Sequence, residues 1–91
     1  MAYVVSTTRR FEKCIEKMKK RGCPMDELRR VIVLLMETGV LPVKYKPHKL
    51  TGNHKGQWEC HIKPDWLLVW EQNDNEFTLL LLETGAHSDL F

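Results

Sequence analysis

Trp58-Glu59-Cys60-His61-Ile62-Lys63-Pro64-Asp65-Trp66-Leu67-Leu68-Val69-Trp70 decides the fold of this chain. Its first half alternates, with Trp58, Cys60 and Ile62 on one side and Glu59, His61 and Lys63 on the other, which is the period of a half-buried strand. Pro64 stops that strand. Its second half, Trp66 to Trp70, is continuously apolar and suits a central strand buried on both faces. Immediately C-terminal, Phe77 to Leu82 repeats the apolar run after the turn residues Asn73, Asp74 and Asn75. Three consecutive strands joined by short turns predict an antiparallel meander.

The N-terminal side carries a different period. Phe11, Cys14, Ile15 and Met18 recur at helical spacing, and Lys13, Lys17, Lys19, Lys20 and Arg21 cover the remaining positions until Gly22 and Pro24. Leu28, Val31, Ile32 and Leu35 repeat the pattern between Pro24 and Gly39. Tyr3, Val4 and Val5 form a short strand before the candidate caps Ser6, Thr7 and Thr8. From Leu41 to Gly56 the helical period is lost, and Pro42, Pro47, Gly52 and Gly56 punctuate a long connection rich in Lys and His. The expected order is β-α-α-β-β-β: an α+β fold with two N-terminal helices packed on an antiparallel sheet, residues 1–91 forming one domain.

Length and composition agree. With 91 residues, 43% hydrophobic and 29% charged, the chain fills one small core and no second domain. The formal charge is +2, but it is segregated. Residues 1–63 hold all fourteen Lys and Arg with six acids; residues 64–91 hold the other six acids and no Lys or Arg. Cys14, Cys23 and Cys60 form no CxxC pair, which disfavours a disulfide framework and a zinc site. Arg9 and Arg10 stand where a secretory h-region must be apolar, and the longest apolar run, Val31 to Met36, is far short of a membrane span. A soluble, cytoplasmic protein is expected, with reduced thiols and no metal or cofactor.

The meander brings chemistry together at one end of the sheet. The strand that begins at Trp66 leaves the Lys63-Pro64-Asp65 turn, and the strand that ends near Glu83 returns to it. His61, Asp65 and His87 therefore gather there, whereas the placement of His48 in the preceding loop is left open. Imidazoles titrate near neutrality, and a carboxylate fixes their tautomer, so the set suits general acid and base work. Cleavage of RNA needs little more, because the 2′-hydroxyl is the nucleophile. The basic loop is suited to phosphates, and Trp66 or Phe91 to stacking on an unpaired base. Core packing is the competing reading for both aromatics. His54 reads as a surface residue and Cys60 as a buried, inert thiol.

Three ordered blocks resemble the RelE/ParE-type bacterial toxins, and within them the YafQ-like branch of messenger-RNA interferases. They are His48-Lys49-Leu50-Thr51-Gly52, Glu59-Cys60-His61-Ile62-Lys63-Pro64-Asp65-Trp66-Leu67-Leu68-Val69 and Thr84-Gly85-Ala86-His87-Ser88-Asp89-Leu90-Phe91. The resemblance implies a RelE-like fold, metal-independent cleavage of messenger RNA in the ribosomal A site, and a cognate antitoxin in a toxin–antitoxin hetero-oligomer. It implies a catalytic set of His48, His61, Asp65 and His87, with His48 as base and His87 as acid, and Phe91 as a terminal aromatic. Lys46, Lys49, Lys55, Lys63, Trp66 and Phe91 are the expected RNA-binding residues.

Two positions depart from the family pattern: Glu83 and Trp58 stand where relatives often carry arginine. No arginine follows Arg30. Either Lys46, Lys55 or Lys63 takes over the scissile phosphate, or the chemistry is weakened. A carboxylate at position 83 is also placed to partner His87. The alternative function is a non-nuclease of the same fold, a ParE-like gyrase inhibitor or a catalytically weakened antitoxin partner.

Overall fold

Thr8 couples the first strand to the first helix. Its hydroxyl accepts the Phe11 N–H at 3.0 Å, capping the helix, and donates to the Leu82 carbonyl at 2.8 Å. In this computed structural model, which describes residues 2–90, β1 (Val4–Thr7) leads into α1 (Arg9–Lys20) and then α2 (Met25–Thr38). Gly39 ends α2 in the left-handed conformation, φ 73°. A Cβ added there would meet the Tyr3 hydroxyl at 2.5 Å, so both backbone and space require glycine. The expected helical faces are the ones buried: Phe11 and Met18 on α1, and Leu28, Val31 and Leu35 on α2.

The meander forms as expected, from β3 (Gln57–Lys63), β4 (Trp66–Asn73) and β5 (Thr78–Gly85), paired antiparallel. Two features differ from the sequence reading. The sheet is mixed, because β1 pairs with β5 in parallel, Val4 opposite Thr78 and Thr7 opposite Leu81. A parallel pair needs a long crossover, and here the helices and the meander together supply it. The long connection also contributes a strand, β2 (His48–Lys49), which pairs antiparallel with β3 and extends the order to β1-β5-β4-β3-β2. Single 3₁₀ turns at Val43–Tyr45 and Gly52–His54 flank it.

Both helices lie on one face of the sheet. Cys60, Ile62, Trp66, Leu68, Trp70, Leu79 and Leu81 meet them in one core. Leu67 and Val69 alternate to the other face and are nonetheless buried, at 1% and 0% exposure. Burial of β4 on both sides matches its unbroken apolar run. Strict alternation along β5 from Leu79 and Leu81 would send Glu83 into the core. A register shift prevents this: Trp70 pairs with Leu81 and Val69 with Glu83, which leaves Leu82 as the extra residue of a bulge. Glu83 is thereby turned to the helix-free face and Thr84 to the core side. There Thr84 accepts the Trp66 indole N–H at 2.9 Å and donates to the Leu67 carbonyl at 2.6 Å.

Candidate active site on the helix-free face

Across the helix-free face one row of paired positions runs through four strands: His48 on β2, Glu59 on β3, Val69 on β4 and Glu83 on β5. The next row runs through His61, Leu67 and Gly85. Strand β2 is what makes this possible, since it lifts His48 out of the loop and sets it beside β3. Its Nε2 lies 3.2 Å from Glu59 Oε1, and its Nδ1 lies 2.9 Å from the Lys46 carbonyl oxygen. The imidazole thus stands between two acceptors, and only its protonated form donates to both at once. The ring centroid of His61 is 6.4 Å from that of His48, and His61 Nδ1 is 3.3 Å from the Pro64 carbonyl oxygen.

Glu59 is the residue that sequence reasoning missed. It is 7% exposed, whereas its place on the polar side of an alternating strand predicts exposure to solvent. Parity sets Glu59 beside His61 on one face, but the contact that gives it a role comes from β2, which pairs His48 with Glu59. The expected helper, Asp65, is exposed in the β3–β4 turn and forms no ion pair among the described residues. His87 opens the short helix α3 (His87–Leu90), two residues beyond Gly85, so its backbone returns to the end of the sheet that carries His61.

The tail is clamped from beneath. Asp89 accepts the Ala86 N–H at 3.0 Å and pairs with Arg21 at 2.7 Å and Lys17 at 3.3 Å. The Arg21 guanidinium, the Ala86 N–H and the Lys17 ammonium hold its carboxyl well below the usual carboxylate range. Gly85 faces this clamp closely, since a Cβ there would lie 3.2 Å from Asp89 Oδ2.

The predicted RNA-binding residues divide into separate places. Lys46 and Lys63 join Lys44, His61, Ile62 and Pro64 around a cavity of about 230 Å³. Lys49 and Lys55 line a different cavity with Trp58, because Lys49 alternates away from His48 and lies over the Trp58 ring at 5.5 Å. Trp66 requires a correction: it is 4% exposed in the core, with its N–H bonded to Thr84, and offers no face to a base. Phe91 lies outside the described residues. His54 lies half-buried at the surface, with Nδ1 3.3 Å from Gln57 Oε1. Burial pushes the Cys60 thiol up to about 12, which agrees with an inert core cysteine. Among the described residues no group of three or more His, Cys, Asp or Glu is arranged to hold a metal ion, and no helix is long and apolar enough to cross a membrane.

The family model for the bacterial toxin YafQ of type II toxin–antitoxin systems matches residues 3–91. The mRNA interferase toxin YafQ of Escherichia coli K12 is 36% identical over 83 residues, covering 89% of this chain and 87% of the relative. Among solved structures, YafQ from E. coli strain BL21(DE3) superposes with a TM-score of 0.91 at 30% identity, covering 98% of each chain. The E. coli DinJ–YafQ toxin–antitoxin complex matches with a TM-score of 0.90 at 30% identity, covering 100% of this chain and 99% of that one. The sheet order, the helix-free face with its histidines, and a match that spans nearly the whole chain lead to one conclusion: this chain belongs to the YafQ family of toxins of bacterial type II toxin–antitoxin systems.

Proposed function

We propose that this chain is a ribosome-dependent endoribonuclease that cleaves messenger RNA in the A site, by acid and base catalysis from the helix-free face. The observation that carries the reading is the juxtaposition of His48, Glu59 and His61 beside a cavity ringed by Lys44, Lys46 and Lys63. The lysines attract the RNA backbone without reading its sequence. His48 in its neutral form takes the proton of the 2′-hydroxyl on the ring nitrogen that bears no hydrogen, and Glu59 offsets the charge of the imidazolium that forms. The 2′-oxygen attacks the adjacent phosphorus and the bond from phosphorus to the 5′-oxygen breaks. His87 gives its proton to that leaving oxygen. The products are a 2′,3′-cyclic phosphate and a 5′-hydroxyl, so protons and electrons balance without another reactant. His61 and Asp65 orient the site and hold charge.

The E. coli relative YafQ is named an mRNA interferase, and one of its solved structures is a toxin–antitoxin complex with DinJ. Both support a cognate antitoxin for this chain, a toxin–antitoxin hetero-oligomer and a place in the cytoplasm, where ribosomes and messages are. The basic exposed positions of α1 and α2 suit an acidic segment of such a partner.

The test is a reconstituted translation reaction with a defined message, in which new 5′ ends are mapped with and without ribosomes. Cleavage at codon-spaced positions only on translating ribosomes, lost in His87→Ala, is expected. An intact message, or cleavage unchanged in His87→Ala, overturns the assignment and returns the chain to a binding role.

A further inference from the structure

The histidine-bearing row of the sheet ends, on the β5 side, in a second charged pair. Arg10 Nε lies 2.6 Å from Glu83 Oε2. The Arg10 side chain is 66% exposed and that of Glu83 11%. How the pair forms can be followed from the sequence. Phe11 is anchored in the core, so Arg10 beside it turns outward from the first turn of α1. The Thr8 N–H donates to the Leu81 carbonyl at 3.1 Å and its hydroxyl to that of Leu82, which fixes the start of α1 against β5 just before Glu83. The bulge at Leu82 then presents Glu83 on the helix-free face. Thr8, Arg10, His54, Gln57, Leu82 and Glu83 line one open depression of about 260 Å³.

Glu83 and Glu59 stand in the same row with only Val69 between them, two strand spacings or about 10 Å apart. A nearly buried carboxylate at that place repels a phosphodiester unless it is neutralised. Arg10 neutralises it by an ion pair whose shortest contact is through Nε, and about two thirds of its side chain stays exposed to another partner. A guanidinium is planar and presents its N–H groups as a fork, which fits two oxygens of a phosphate at once. Gripping Glu83 also removes the freedom of a long, exposed side chain, so the fork is oriented before RNA arrives.

We propose that Arg10, carried by α1 and oriented by Glu83, holds the phosphate of the RNA in this site. Arg10 is the catalytic residue and Glu83 a positioning residue. This deepens the nuclease reading and rests on it.

The experiment is single-turnover cleavage of a message on programmed ribosomes by the full chain and its variants, with ribosome binding measured alongside. Arg10→Ala is expected to slow cleavage about 100-fold while ribosome binding changes little. Arg10→Lys recovers part of the loss, because a point charge lacks the fork. The double variant Arg10→Ala/Glu83→Gln stays as slow as Arg10→Ala, and Arg9→Ala, one residue away and exposed, cleaves as the unaltered chain does. Far-ultraviolet circular dichroism checks that each variant is folded. Two results overturn the proposal while the nuclease reading stands. One is Arg10→Ala within twofold of the unaltered rate when His61→Ala is inactive. The other is recovery in the double variant, which means that Arg10 only neutralises Glu83. If the unaltered chain leaves the message intact, the nuclease reading fails and this proposal with it.

Discussion

Replacing Thr84 with valine keeps the shape of the side chain and removes one hydroxyl, and the structure predicts a large penalty. That hydroxyl accepts the Trp66 N–H at 2.9 Å and donates to the Leu67 carbonyl at 2.6 Å, and Thr84 is 2% exposed. In Thr84→Val both groups are stranded in a place water does not reach. Each buried polar group left without its partner costs about 1–3 kcal/mol, and two together about 2–6 kcal/mol. A domain of this length is stable by about 5–14 kcal/mol, so the loss is a substantial share. At a urea slope of about 1–1.5 kcal/mol per molar, the unfolding midpoint falls by at least about 1.3 M. Thr84→Ser keeps the hydroxyl and loses one methyl, for about 1 kcal/mol. Urea unfolding followed by tryptophan fluorescence reads both variants. A midpoint shift under about 0.5 M for valine, or a serine variant as unstable as valine, refutes the reasoning.

Other contacts in the structure make predictions of their own. Glu59→Gln removes the carboxylate beside His48 and is expected to slow message cleavage about 10- to 100-fold with little loss of stability, read by single-turnover rates beside a urea curve. Asp89→Ala releases the α3 clamp, so amide hydrogen exchange at Ala86 and at residue 89 speeds up while β4 stays protected. Because the Asp89 pKa is lowered by folding, its contribution is complete above the unfolded value near 4 and fades only as pH falls toward the depressed folded value, so the clamp survives mild acid. Folded protein exposes Cys14 and Cys23 to a thiol reagent while Cys60 reacts only after denaturation. Since the buried Cys60 thiol titrates at about 12, the unfolded chain binds fewer protons above its ordinary value of ~8.5, and stability falls from there upward; urea curves at pH 8 and 10 check the direction.

How far the chain could be read without coordinates depended on the range of the determining contacts. Both helices were legible because their apolar period and their stops, Gly22 with Pro24 and then Gly39, are local. The meander was legible because alternation, Pro64 and the Asn73–Asn75 turn are local too. Strand β2 was not, since two residues carry no period and are held only by pairing His48 with Glu59 and Lys49 with Trp58. The parallel pairing of β1 was equally hidden, because its partner lies more than seventy residues away. Glu83 misleads for a different reason: counted along β5 it belongs to the core, and only the bulge at Leu82 turns it outward.

The segregated charge, which reads most simply as attraction for partners, is in part internal. Arg10, Lys17 and Arg21 of the basic N-terminal segment pair with Glu83 and Asp89 of the acidic C-terminal one. Glu83, which the sequence also places to partner His87, forms an ion pair with Arg10. Of the candidate site, the histidines were legible as types in ordered blocks. The carboxylate that meets His48 was not, because that contact depends on strand parity and on β2 together.

The most direct measurement is of the RNA ends themselves. A message carrying a single 2′-deoxynucleotide at the mapped cleavage position is translated beside the all-ribose message in the presence of the chain, and the termini of the fragments are identified by enzymatic end-labelling and mass spectrometry. Acid and base catalysis through the 2′-hydroxyl predicts a 2′,3′-cyclic phosphate, a 5′-hydroxyl and no cut at the deoxy position. A 3′-hydroxyl with a 5′-phosphate, or equal cleavage of the deoxy message, contradicts it.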